Sequence, residues 1–306
     1  MKQAVSILIP TYNDDCRQLA ASLQQQAEHI SGLEYEILIA DDGSTDMNVV
    51  NNNATIGALS HCTYLRNEQN KGRSFIRNFL AQNASYPWLL FIDGDMKIRN
   101  DQFLGRYLET LSPLSSPPLW GGLEGFEVVY GGYSITIGVN ADRQGNLRYR
   151  YEKRCEGNHS AENRRKAPYK DFHTSNFMVS RDVMLRHPLD ERFRHYGYED
   201  VLWGKTLQQN HIPIHHIDNP VSFEDFEDNS SFVSKTEEGL RTLKQFSTQL
   251  EDYSRLIPVV RKLGILRQPV KWLYKLLCPV LRSHLCSNNP SLKVFNFYRL
   301  GYYLSL

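Results

Sequence analysis

Two apolar runs that each pass straight into an acidic turn constrain this chain more than any other feature. Residues 35–40 read YEILIA and meet Asp41-Asp42-Gly43-Ser44; residues 88–92 read WLLFI and meet Asp93-Gly94-Asp95. Short continuous apolar runs bounded by turn residues fit strands buried on both faces. Residues 5–9, closed by Pro10, read the same way, and 62–65 read as a shorter strand. Between them, 16 to about 30 places Leu19, Leu23 and Ala27 on one helical face, 51–59 reads as a helix, and 73–82 as another after a glycine turn. Strands alternating with helices predict βαβ units and a largely parallel sheet. Such sheets bind ligands outside the C-terminal ends of their strands, and Tyr12, Asp42, Asp93 and Asp95 all fall there.

The second half is less regular. Residues 125–151 hold aromatic and Thr/Val/Ile-rich runs that read as strands, and 143–170 is polar, basic and read as a mobile loop, a candidate lid over bound ligand. Short helices are expected at 182–186 and 201–209, a strand at 212–217, and a helix at 236–246 with Leu240 and Leu243 inward. The net charge of +1 conceals a division. No Asp or Glu follows Asp252, whereas nine Lys and Arg do, so a −8 body of residues 1–252 precedes a +9 tail of residues 253–306. The body is expected to divide again into two halves, 1–120 and 121–252. Basic groups in the tail alternate with Leu256, Ile257, Leu263, Trp272, Leu273 and Leu276, the pattern of an amphipathic helix lying in a membrane surface. The same apolar face would equally serve to dock the tail on the body. The body's negative charge argues against nucleic-acid binding.

Five cysteines without CxxC spacing suit neither a disulfide framework nor a zinc site and fit a reducing compartment. The first apolar run stops at Pro10 without the core of a signal peptide, and no run approaches the ~20 residues of a membrane span. The expected location is cytoplasmic, or peripheral on the inner face of the membrane.

Asp93 and Asp95, two apart on an extended turn, can reach one hard cation such as Mn2+ or Mg2+; an Asx-turn would also explain them. Asp42 can accept from a base N–H or ribose hydroxyl, or merely belong to a turn before a helix capped by Ser44 or Asp46. Lys71, Arg73 and Arg77 put cations near a loop–helix junction, suited to phosphate or to a solvated face. Glu199 and Asp200 open a helix inside the run Tyr196-Gly197-Tyr198-Glu199-Asp200-Val201-Leu202-Trp203. Aromatic rings there could stack on a sugar while a carboxylate takes the attacking hydroxyl's proton; acidic residues also stabilise a helix N-terminus.

The order Val5-Ser6-Ile7-Leu8-Ile9-Pro10-Thr11-Tyr12-Asn13, Asp41-Asp42-Gly43-Ser44-Thr45-Asp46, Asn70-x-Gly72-x3-Ile76-Arg77-Asn78, Asp93-x-Asp95 resembles family 2 glycosyltransferases of the GT-A fold. Asn176-Phe177, Asp190-Glu191-Arg192-Phe193 and Tyr196–Asp200 resemble the galactosyltransferase-type C-terminal half of such enzymes. The resemblance covers roughly residues 4–245. It implies a Rossmann-like mixed, mostly parallel sheet flanked by helices, to which the basic helical tail is added. It also implies nucleotide binding by the first half of the body, 1–120, and acceptor binding by the second, 121–252. It implies an inverting, metal-dependent transfer of a hexose or N-acetylhexosamine from a UDP-sugar to a hydroxyl of a saccharide or lipid-linked saccharide, as in surface polysaccharide or glycoconjugate synthesis. The donor would lie against Pro10, Tyr12, Asp42, Lys71, Arg77, Asp93 and Asp95. The acceptor would meet Asn176, Tyr198, Glu199 and Trp203, with Asp200 the base and Glu199 assisting. Asp95 and Asp93 would hold Mn2+ or Mg2+. A third ligand, usually histidine, falls where Phe223 stands, which leaves His216, His215, Glu224 or Asp225, or a metal held by fewer groups. A nucleotide-sugar-binding protein without transfer activity and a sugar nucleotidyltransferase are the alternatives; the latter lacks its Gly-rich phosphate loop at 10–14.

Overall fold

The computed structural model describes residues 3–111, 127–135, 143–170 and 172–306. The apolar runs become strands of one seven-stranded sheet: β1 (Ala4–Thr11), β2 (Glu34–Asp41), β3 (Cys62–Arg66) and β4 (Trp88–Ile92). A two-residue strand, β5 (Met96–Lys97), follows the Asp93–Asp95 turn. Then come β6 (Val128–Tyr130), β7 (Tyr133–Ser134), β8 (Asn176–Ser180), β9 (Ile214–His216) and β10 (Val221–Phe223). The large sheet runs β3-β2-β1-β4-β8-β6-β9 and the small one β5-β10-β7. β1, β2, β3 and β4 are mutually parallel. β8 runs against both β4 and β6, and β6 is parallel to β9. The fold is thus the mixed, mostly parallel α/β sheet that the alternation predicts.

Burial on both faces explains why the strands are continuous apolar runs. Val5, Ile7 and Ile9 enter one core layer with Ile37, Ile39, Leu90 and Ile92. Leu8, one step out of phase, enters the opposite layer with Leu38, Ala40, Leu89 and Phe91. Period-two alternation therefore feeds two cores, each large aliphatic side chain contributing about 1.5–3 kcal/mol. The strand order reverses beside β1: β2 and β3 extend the sheet on one side and β4 lies on the other. A crevice opens where connections diverge in this way; Asp93, at the end of β4, lines a cleft there, and Tyr12 follows the end of β1.

The reading of 143–170 as a mobile loop is corrected. Leu147–Cys155 and Ala161–Arg165 are helices, started by Asn146 and Ser160 caps that accept from Tyr149 N and Asn163 N. Arg164 anchors the segment: its buried guanidinium donates to the Ile217 carbonyl at 2.7 Å and lies 4.6 Å over the Tyr130 ring. The basic composition that suggested a loop is largely spent on such tertiary contacts. Of the strands expected in 125–151, 128–130 and 133–134 form and 147–151 is helical; the rest, like the boundary at 120/121, touches residues outside those described.

The tail folds into helices Leu256–Lys262, Arg267–Leu285 and Leu292–Ser305. The last two form a hairpin that packs on helix Asn229–Gln245 through Phe232, Val233, Tyr274, Leu285, Phe295 and Tyr298. Arg282 and the Tyr298 hydroxyl both engage Glu237. Among the described residues no helix is long and apolar enough to cross a membrane.

Candidate active site

The acidic turns are built before they can bind anything. Asp41 Oδ1 accepts from Ser44 N at 2.7 Å and its Oδ2 from the Tyr64 hydroxyl at 2.5 Å. Asp42 Oδ1 accepts from Lys71 N at 3.0 Å and Oδ2 from Gly72 N at 2.8 Å. Burial, opposed by these bonds, raises the Asp42 carboxyl above its ordinary range. Asp42 thus pins the turn that launches helix Arg73–Asn83. That turn requires glycine at 72: φ is +100°, and a Cβ would meet the Arg194 carbonyl at 2.9 Å. Pro10 is buried at the end of β1 and Tyr12 is exposed just beyond it. The Lys71 ammonium lies 4.4 Å over the Phe75 ring.

Helix Arg73–Asn83 carries two arginines to the Asp93 turn. Arg77, buried at 2% exposure, pairs with Asp93 Oδ1, and Arg73 Nη2 reaches Oδ2 at 3.1 Å. Arg73 Nε stands 2.7 Å from Glu199 Oε1, so one guanidinium joins the β4 turn to the helix Glu199–Gln209. Asp95 differs from Asp93. Among the described residues no hydrogen bond or ion pair engages its carboxylate, and burial, then the neighbouring Asp93, raises its affinity for a proton. Asp14 lies close enough to feel both: burial first, then Asp95 and Asp93, push its carboxyl up to about 7.

Glu199 and Asp200 are presented by strained backbone. Gly197 has φ +97° and Tyr198, a non-glycine residue, φ +72°. Glycine takes such a conformation freely, whereas at Tyr198 it costs about 1–3 kcal/mol, a strain that gathers at functional sites. Burial raises the Glu199 carboxyl, against the attraction of Arg73. At Asp200 burial also raises the value and is the largest influence. The His173 hydrogen bond at 2.9 Å, the His173 charge, the Val201 N–H and Arg73 together outweigh it and hold Asp200 below the usual carboxylate range.

Asp93, Asp95, Tyr198, Glu199 and Asp200 line one cleft of about 360 Å³, within the range of small-molecule sites. Residues far apart in sequence complete it. Arg73 and His173 lie beside the carboxylates, Arg148 and Lys235 come from flanking helices, and Phe295 and Arg299 come from the tail. His173, Asp14, Arg148, Lys235 and Arg299 carry no motif. For His173 the one sequence signal is its place three residues before the Asn176-Phe177 pair.

Several expected residues lie elsewhere. Asn176 is fully buried with its side chain spent: Oδ1 accepts from the Tyr107 hydroxyl at 2.8 Å, and Nδ2 donates to the carbonyls of Gly132 and Asn219. Trp203 is core, tilted against Phe172 and Phe177, with Nε1 donating to the His187 carbonyl at 2.7 Å. Both are corrected from acceptor contacts to packing residues. His216 is corrected as a metal ligand. It is buried outside the cleft with Nε2 3.1 Å from the Pro168 carbonyl, and burial, then Arg164, drives its pKa down to about 4. His215 borders a different pocket; Glu224 is held by Arg99 at 2.6 Å and Asp225 by Lys97 at 3.0 Å. Phe223 itself lines the cleft. Among the described residues no three His, Cys, Asp or Glu side chains converge on a metal position.

Residues 6–113 match the family described as glycosyl transferase family 2. Two proteins of Haemophilus influenzae, each described as an uncharacterized glycosyltransferase, are 33% identical over 91 residues and 29% identical over 101. The matches cover 30% and 32% of this chain and only 29% and 38% of those proteins. Among solved structures, the mannosyltransferase PcManGT of Pyrobaculum calidifontis, in complex with GDP-Man and Mn2+, superimposes with a TM-score of 0.55 at 12% identity. That alignment covers 98% of this chain and 84% of that one. TarS 1-349 of S. aureus in complex with UDP-GlcNAc gives 0.53 at 16% identity, over 97% and 90%. These structural likenesses establish a shared fold.

Proposed function

From a chain whose residues 6–113 match glycosyl transferase family 2 and whose fold is shared with solved glycosyltransferases, we propose that it transfers a sugar from a nucleotide-sugar donor to a hydroxyl acceptor with inversion. The observation that carries the reading is the Arg73 bridge. It holds the Asp93–Asp95 turn and the Glu199–Asp200 pair on one cleft, so a diphosphate at the first lies within a sugar's reach of the second.

The donor set suits a hard divalent cation. Asp95 lines the cleft and, among the described residues, no hydrogen bond or ion pair engages its carboxylate, which leaves its oxygens open to a cation. Asp93, with both oxygens on arginines, instead keeps those arginines in place. Mg2+ and Mn2+ commonly take one or two carboxylates and complete their shell with phosphate oxygens and water, so a single protein carboxylate is no obstacle. A cation on Asp95 would neutralise charge developing on the departing diphosphate.

Asp200 is the base. Held ionised by His173, it takes the acceptor's proton as the hydroxyl oxygen bonds to the anomeric carbon and the bond from that carbon to the diphosphate breaks. Glu199, fixed by Arg73, orients the acceptor, and Tyr198 borders it. Tyr12 and Asp42, neither of which lines the cleft, would meet the nucleoside beside it, Asp42 acting through the 71–72 turn. We favour a UDP-sugar carrying a hexose or N-acetylhexosamine, the donor type bound by TarS, over the GDP-Man bound by PcManGT. The acceptor is a saccharide, free or lipid-linked, in glycoconjugate or surface polysaccharide synthesis. Residues 1–252 form the catalytic body and 253–306 an appended region. Five free cysteines fit a cytoplasmic setting.

The test is UDP release from a panel of UDP-sugars with and without Mn2+. Asp200→Asn should lower turnover ~10²–10⁴-fold, the usual worth of a general base. Undiminished release and transfer in that variant would remove Asp200 from the role.

A further inference from the structure

Helix Arg267–Leu285 is apolar on two opposite faces. Tyr274, Cys278, Leu281 and Leu285 pack inward on the hairpin partner and helix Asn229–Gln245. Trp272, Leu273, Leu276 and Val280 recur at three- and four-residue spacing on the other side and point to solvent, Trp272 at 74% exposure and Leu276 at 77%. Ile265 and Leu266, in the turn before the helix, and Val259 on the preceding helix are exposed as well. A surface helix normally keeps one apolar stripe, and that one faces the core; a second, solvent-facing stripe of this size marks an interaction surface. Lys275 flanks the outer stripe with Lys271 one turn before it, and among the described residues no ion pair engages either. No acidic residue occurs anywhere in 253–306.

We propose that this face docks in the plane of an anionic phospholipid bilayer. A cationic margin beside Trp and Leu is the composition that seats a helix at the headgroup boundary. The charge also selects the occupant. A second copy of this chain would bring its own +9 tail against the first and be repelled. The following helix, Leu292–Ser305, packs on the docking helix and delivers Phe295 and Arg299 to the cleft. The element that meets the membrane therefore packs on one that borders the cleft, which suits an acceptor presented from the lipid surface. The docking face stands on this helix alone and does not depend on the transferase reading.

The experiment is co-sedimentation of the full chain with vesicles of phosphatidylcholine alone or mixed with phosphatidylglycerol. The chain should pellet with the mixed vesicles and release at high salt. Lys271→Ala and Lys275→Ala should each weaken partitioning ~5-fold, and Trp272→Ser with Leu276→Ser should abolish it. All four side chains are away from the core, and thermal melting confirms each variant's fold. UDP release toward a soluble acceptor, measured on the same variants, should be unchanged, so loss of docking and loss of catalysis are read separately. Three outcomes overturn the proposal: no pelleting of the unmodified chain, pelleting indifferent to Trp272 and Leu276, or a dimer in solution that those substitutions dissolve.

Discussion

His173 Nδ1 stands 2.9 Å from Asp200 Oδ2, a pairing within the cleft between a loop and a helix start 27 residues apart. Burial alone would raise the Asp200 carboxyl, and the imidazole is the first of the influences that reverse it. His173→Ala should therefore shift the acid limb of the kcat/KM profile to higher pH, because burial then acts with less opposition. The folded-state value being depressed, the pair also adds stability above the ordinary 3.8 of aspartate, lost as pH falls through the lower value. A pH–rate profile of His173→Ala that overlays the parent's would show that the contact leaves the base untouched.

Arg77 is the cation whose loss should cost most. At 2% exposure it faces an Asp93 that retains only Arg73, itself 41% exposed, once it is gone. Removing one member of a buried pair typically costs about 3–5 kcal/mol. Arg77→Ala should lower the stability by that order and the melting temperature with it, and Arg77→Ala with Asp93→Asn should recover part of both. An unchanged melting temperature would mean the pair is solvated in solution.

The first four strands and the acidic turns were legible because both rest on local signals: apolar runs that end in Asp and Gly. For Asp42 the same reasoning left two roles open, ligand contact or turn, without the partners that decide between them. Asp41 and Asp42 spend their oxygens on Ser44, Tyr64, Lys71 and Gly72, partners set by the turn's three-dimensional path. Asn176 and Trp203 adjoin the motif yet point into the core, since period and burial decide a side chain's direction where proximity in sequence does not. His173 and Arg299 reach the cleft through tertiary packing that no spacing encodes.

Trp203 tests that distinction. With its indole buried against Phe172 and Phe177, Trp203→Ala should destabilise the fold by about 3–5 kcal/mol. The acceptor KM of the folded fraction should stay where it was. Denaturant unfolding and acceptor titration on one preparation separate the effects; a raised KM with unaltered stability would restore Trp203 to the acceptor site.

Gly197 should be intolerant of a side chain for backbone reasons. A Cβ there would meet only the Gly239 Cα, at 3.5 Å, so space is adequate, but φ is +97°. Gly197→Ala must either hold a conformation costing about 1–2 kcal/mol or relax it. Relaxation turns the first residues of helix Glu199–Gln209 and moves Asp200 relative to the Asp93–Asp95 turn. Turnover should fall more than stability does; equal turnover would show that the helix start is insensitive to the hinge.

Arg299 is the tail's contribution to the cleft. Its guanidinium lies 5.5 Å from the Tyr151 ring centre and 5.6 Å from that of Phe295; burial raises the Tyr198 hydroxyl above its ordinary value, and Arg299 is the first of the influences that oppose it. Stacked guanidinium groups of this kind are preorganised donors, and Tyr198 immediately precedes the Glu199–Asp200 pair. Arg299 is thus placed to touch the acceptor side of the cleft and not the Asp93–Asp95 turn. Arg299→Ala should raise the acceptor KM about 10-fold, the worth of one hydrogen bond to a charged donor. Donor hydrolysis in the absence of acceptor should persist at the parent rate. Initial-rate kinetics with each substrate varied distinguishes this from a general loosening of the tail, which would weaken donor and acceptor alike.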